Sequence, residues 1–228
     1  MIAHKKEFYG GFAMLAGFCI VLVLMFMPLL NGHNALEYSD ALYNSISKGS
    51  AYYIPKIKKT TETFFGNTVN LTLIMDNEIQ TEQTGSLFME GGGMVNVNKD
   101  QLKVSGDLGK ILANCLVDAD FMYFNKGKAI SDKYGYDERL VMYNWHKALK
   151  AAEKDLKKQK KFAEAKVIAQ VIKKAVECSY NYYKIEPQKI SDRLGIVIFS
   201  LLFYVVYTLW YGFAIMFMFE GWGMRLEH

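Results

Sequence analysis

Histidine, cysteine and proline are scarce in this 228-residue chain, at four, three and three residues. Zinc and iron–sulfur sites need clustered Cys or His, and His4, His33, His146 and His228 are scattered. Covalent haem needs a C-x-x-C-H run, which is missing. A haem held between membrane helices needs axial side chains such as histidine, and neither long apolar run contains one. No metal or cofactor is therefore expected. Cys19 lies in an apolar run, so one disulfide, Cys115 to Cys178, is left open if the compartment is oxidising. Two thiols buried on apolar helix faces are the alternative, because sequence does not show whether the two residues meet.

Catalytic signatures are lacking too. "EGGGMVN" (90–96) is glycine-rich, but it lacks the Lys-Ser/Thr pair and the following helix of a phosphate loop. "SGDLGK" (105–110) reads as an Asp-capped helix start. Asp118 and Asp120 are two apart, so on a helix they do not share a face for acid–base work. "NLT" (70–72) matches a glycosylation acceptor but falls in a predicted strand. No nucleophile elbow surrounds any serine. An enzymatic role is not expected.

Charge is missing from two long stretches, 8–30 and 194–219. Each exceeds the ~20 residues a helix needs to cross the ~30 Å hydrocarbon layer. The first is longer than the ~7–15-residue core of a signal peptide, and Phe18 before Cys19 spoils a lipoprotein box, so it reads as an uncleaved signal anchor. Lys5 and Lys6 precede it and no Lys or Arg follows until Lys48. The positive-inside rule then places both termini in the cytoplasm, with the middle of the chain outside it. Lys184, Lys189 and Arg193 before the second run argue the other way, but the first helix usually dominates. A two-pass protein of the plasma membrane, the bacterial inner membrane, is the expected location.

Between the runs, "ALEYSDALYNSIS" (35–47) sets Leu36, Ala41, Leu42 and Ile46 on one helical face. "AYYIPKIKKTTETFF" reads as a second helix, with Pro55 in its first turn. "TVNLTLIM" (68–75) alternates like a half-buried strand. A helix with an Asp76 cap, a hairpin ("MVNVN", "LKVSG") and a helix over 107–124 follow. The order is β-α-β-β-α. From Tyr136, Leu140, Trp145, Ala148, Leu149, Ala152 and Leu156 form one apolar stripe. Phe162, Ala165, Ile168, Ile172, Ala175, Val176 and Tyr180 form another beyond the basic run "KDLKKQKK". "HKALKAAEKDLKKQKKFAEAKVIAQVIKKAVE" resembles a single tetratricopeptide-type helix pair, through small and aromatic residues at hairpin-packing spacing. One long helix through the basic run is the alternative. The lysines of that run read as a solvated turn.

The fold class expected is an α+β membrane protein, two transmembrane helices flanking an extracytoplasmic domain. Its parts are a cytoplasmic N-terminus (1–7), a first span (8–30), stalk helices (31–66) and a small α+β unit (67–126). A helical hairpin or stalk (127–193), a second span (194–219) and a cytoplasmic tail (220–228) complete it. Ser200, Tyr204, Tyr207 and Tyr211, with Thr208 beside them, line one face of the second span. Ala13, Ala16 and Gly17 offer the first span as a small-residue surface to receive them. Aromatic surface remains to spare. The expected role is a non-catalytic accessory or structural subunit of a larger membrane complex. Its partners would be other membrane-protein subunits, alike or different, and the lipid bilayer, with no nucleic acid. A membrane-anchored extracytoplasmic sensor or ligand-binding protein is the alternative.

Overall fold

The computed structural model describes residues 2–224. Met1 and, in the expected cytoplasmic tail, Arg225 to His228 lie outside the described residues. The elements in order are α1 (Lys5–Phe26), α2 (Ala35–Ser50), α3 (Ile54–Glu62), β1 (Thr68–Ile74) and α4 (Glu78–Glu90). Then come β2 (Met94–Asn98), β3 (Gln101–Asp107), α5 (Leu108–Tyr123), α6 (Gly127–Tyr134) and α7 (Glu138–Lys158). The chain continues through α8 (Phe162–Val171), a π turn (Ile172–Val176), α9 (Glu177–Asn181), a 3-10 turn (Ile190–Arg193) and α10 (Leu194–Gly221). It is thus α+β, mostly helical, with one small sheet and two helices long and apolar enough to cross a membrane. Two compact units result: Met1–Ile46 with Gln188–His228, and Ser47–Pro187.

In the first unit α1 and α10 run antiparallel. Ala3 and His4 donate their backbone N–H groups to Gly221 O at 3.0 and 2.9 Å. After α1 the chain reverses at Asn31-Gly32, both at positive φ (51° and 86°), with Leu30 and His33 exchanging backbone hydrogen bonds. That pair of conformations suits Asn-Gly, which is why this dipeptide marks the tight reversal. A reciprocal cap then starts α2: Asn34 Oδ1 accepts from Glu37 N, and Asn34 N donates to Glu37 Oε2.

In the second unit the strand order is β1-β3-β2, antiparallel throughout. β1 and β2 are therefore parallel to each other, with β3 between them and α4 as the crossover. The alternation read in β1 holds: Val69, Leu71 and Leu73 are buried, and Asn70, Thr72 and Ile74 are exposed. Leu71 pairs with Val104 and Leu73 with Leu102, so the inward rows of two strands meet. One hydrophobic cluster runs from Ile54 on α3, through the sheet, α4 and α5, to α7, α8 and Tyr183. The open edge of β1 is covered by side chains of the α7 end. Asp155 Oδ2 accepts from Thr72 N at 3.1 Å, and Gln159 Nε2 donates to Asn70 O at 2.8 Å. Edge strands otherwise present an unpaired row to other chains.

α7 and α8 are separate helices, broken at Gln159–Lys161, where Lys160 adopts φ 61°. The single long helix is thus excluded. Not every stripe residue packs inward: Phe162 is 65% exposed, and Leu140 and Tyr180 stand at the surface. The cap of α4 is Asn77, whose side chain accepts from Gln80 N, rather than Asp76, which pairs with Lys147 instead. α6, ended by Gly135 at φ 80°, and the π turn carried no clear sequence signal.

Candidate functional site

The α1–α10 contact follows a seven-residue repeat on both helices. On α10 the less exposed positions include Ser200, Tyr207, Ala214 and Gly221, with Phe203, Trp210 and Phe217 between them. On α1 they include Gly11, Phe18 and Met25, with Met14 and Val21 between them. Such a repeat keeps one seam facing a partner helix. The polar atoms in this seam bond to main chain. Tyr207 donates its hydroxyl to Phe18 O at 2.9 Å, and Trp210 Nε1 donates to Met14 O at 3.0 Å. The Tyr207 ring stacks on Phe18 with centroids 4.2 Å apart.

The expected packing face is only partly the face in contact. Tyr207 and Gly17 belong to it; Gly17 lies under the Trp210 ring. Ser200 hydrogen-bonds Tyr43 and donates to Val197 O at 2.9 Å. Tyr211 reaches Phe18 at the margin, with centroids 5.1 Å apart, and is 44% exposed. Thr208 donates to its own helix at Tyr204 O, 2.7 Å away. Ala13 and Ala16 are exposed, and so is Tyr204, at 68%. Neither the Tyr204 nor the Tyr211 hydroxyl has a hydrogen-bond partner among the described residues. Hydroxyl spacing alone pointed one position around the helix from the true seam. The acceptors are backbone carbonyls, which no side chain of α1 advertises. The seven-residue recurrence of Ser200, Tyr207, Ala214 and Gly221 was the signal that would have found it.

The second unit holds three polar clusters that sequence reading did not assemble. Asp118 is fully buried and accepts from Lys133 Nζ at 2.9 Å, Tyr134 OH at 2.6 Å and Trp145 Nε1 at 2.9 Å. This carboxylate ties α5, α6 and α7 together. Burial first, and then the Asp118 charge, push the Tyr134 phenol far above its ordinary value. Asp120 instead accepts from Tyr52 OH at 2.7 Å.

Lys48, also fully buried, donates from Nζ to Asn125 Oδ1 at 3.0 Å and Ile185 O at 2.6 Å. Asn125 returns a bond to Ile185 O and one to Glu186. Tyr123 OH closes the clasp on Lys48 O. Burial pulls the Lys48 ammonium below its ordinary range, opposed by the Glu186 charge.

The third cluster is an open cleft of about 370 Å3 beside α7 and α9, where His146 Nε2 meets Glu177 Oε1 at 3.1 Å. Cys115 and Cys178 are free thiols. Cys115 is buried in the core, and Cys178 Sγ donates to Ala51 O at 3.2 Å. Among the described residues no group of three or more His, Cys, Asp or Glu is placed to hold a metal ion.

The class these features define is an α+β chain with an exposed pair of long apolar helices. No protein-family model matches the chain, and neither a curated protein nor a solved structure matches it.

Proposed function

We propose that the chain is a two-pass membrane protein and an accessory subunit of a larger membrane complex, docking through the outward face of α10. Its apolar windows on α1 and α10 are each only 6% buried. Aliphatic and aromatic surface on that scale is stable in lipid and not in water. Lys5 and Lys6 support a cytoplasmic start, with the Ser47–Pro187 unit on the far side of a plasma membrane.

The observation that carries the docking role is the unpartnered Tyr204 hydroxyl. α10 has 28 residues and Tyr204 is the eleventh, which puts it about 5 Å from the helix midpoint. The nearer edge of the ~30 Å hydrocarbon layer is then about 10 Å away, further than a phenol reaches. An unpaired hydroxyl in hydrocarbon costs several kcal/mol. A polar acceptor on a neighbouring membrane helix relieves that cost.

A photoreactive phenylalanine analogue at position 204 tests this directly. Crosslinks to a protein of defined mass are expected, and that protein should co-purify stoichiometrically in mild detergent. Tyr204→Phe should weaken the association roughly three- to twentyfold, the range for one hydrogen bond of about 0.6–1.7 kcal/mol between membrane helices. Crosslinks to lipid alone, with a monomeric chain after mild extraction, would overturn the reading.

A further inference from the structure

We propose that the cleft beside α7 and α9 is a binding site for a small organic cation, an ammonium group on an apolar body. This proposal is independent of the docking role. The cleft measures about 370 Å3, at the small end of ligand sites. Met142 and Val176, both buried, form its apolar floor. Tyr143 and Tyr180 stand at its rim, 39% and 38% exposed. Glu177 is the one carboxylate in the lining, and no lysine or arginine lines the cleft. An anion would meet that carboxylate, and the ammonium beside Tyr143, that of Lys147, is already paired with Asp76.

Two tyrosine rings beside a carboxylate are the components with which proteins recognise ammonium groups. Tyr143 already shows its affinity for a cation: Lys147 Nζ lies 5.6 Å from its ring centroid while paired to Asp76 at 3.0 Å. The His146 contact uses Oε1 of Glu177, and no described residue hydrogen-bonds Oε2, so that oxygen is available to an incoming ammonium. The wall itself is unusual. The π turn Ile172–Val176 ends where Val176 and Glu177 enter the cleft. Single π turns inside helices are frequent at functional sites. Here the wider turn fixes how Glu177 and Tyr180 emerge against α7.

The test uses the full chain in nanodiscs of phosphatidylglycerol and two matched probes, choline and its neutral isostere 3,3-dimethylbutan-1-ol. Calorimetry should show saturable choline binding, with the isostere weaker by about tenfold or more. Glu177→Gln should weaken choline by a similar factor. His146→Leu, which removes the helix-to-helix link and keeps the carboxylate, should preserve binding. Repeating the titration in phosphatidylcholine nanodiscs separates the sources of the group. Lost binding of free choline identifies a lipid headgroup as the occupant, and unchanged binding identifies a soluble cation. No saturable choline binding, equal binding of the isostere, or Glu177→Gln binding like the unaltered chain would each overturn the proposal. Equal loss in both variants would reduce the His146–Glu177 contact to a strut between helices and overturn it as well.

Discussion

Two adjacent glycines on α1 provide a sharp test of the helix seam. A Cβ added at Gly11 would lie 2.7 Å from both Ala214 O and Met218 N. Carbon–oxygen contacts normally settle at roughly 3.3–3.6 Å. Both obstacles are backbone, so no rotamer change relieves them, and the helices must separate by over half an ångström. A Cβ at Gly10 meets nothing within 4 Å. Overpacking of this kind costs about 1–3 kcal/mol, which raises the separated population roughly five- to 150-fold. Gly11→Ala should therefore destabilise the pair, and Gly10→Ala should leave it unchanged or slightly firmer.

The readout is fluorotryptophan NMR of the full chain in bicelles titrated with SDS. The three tryptophans, Trp145, Trp210 and Trp222, give separate reporters. Trp210, bonded to Met14 O and lying over Gly17, reports the seam, and Trp145 in the second unit serves as internal control. A Trp210 midpoint shifted as much by Gly10→Ala as by Gly11→Ala would refute the seam. It would favour instead the exposed face of Gly10, Ala13 and Ala16, of which Ala13 and Ala16 belong to the small-residue surface expected from the sequence.

Asp118→Asn removes the charge that faces Lys133 and weakens the acceptor shared by Tyr134 and Trp145. Breaking a buried pair from one side costs about 3–5 kcal/mol, so urea unfolding followed at Trp145 should show a loss of that order. Lys48 predicts a pH dependence. Its folded value lies below the ordinary 10.5, so between those two values the unfolded chain binds more protons. The stability of the unaltered chain relative to Lys48→Met should climb with pH through that window and level off above 10.5. A flat difference would show that Lys48 is not desolvated.

Strands were legible because Val69, Leu71 and Leu73 alternate with polar residues, and a two-residue period survives any tertiary arrangement. The Asp107 cap was equally plain: its side chain accepts from Lys110 N, a local bond within one turn. The rest depended on partners distant in sequence. α6 has little amphipathic length, and Ile130 is buried only because neighbouring helices surround it. Asp118 reads as an ordinary helix acid until α6 and α7 bring three donors to it. On α10 nearly every residue is apolar, so hydrophobicity selects no face and the hydroxyls drew the eye. The seam was set instead by where glycine and alanine admit the other backbone.

Lys48 and its acceptor Ile185 stand 137 positions apart. A growing chain makes the ammonium long before that carbonyl exists. Until then the lysine must stay hydrated, because burying it without acceptors costs too much. Completion of the Ser47–Pro187 unit therefore waits for its last-made residues, and the order of synthesis leaves no fully native intermediate that lacks them.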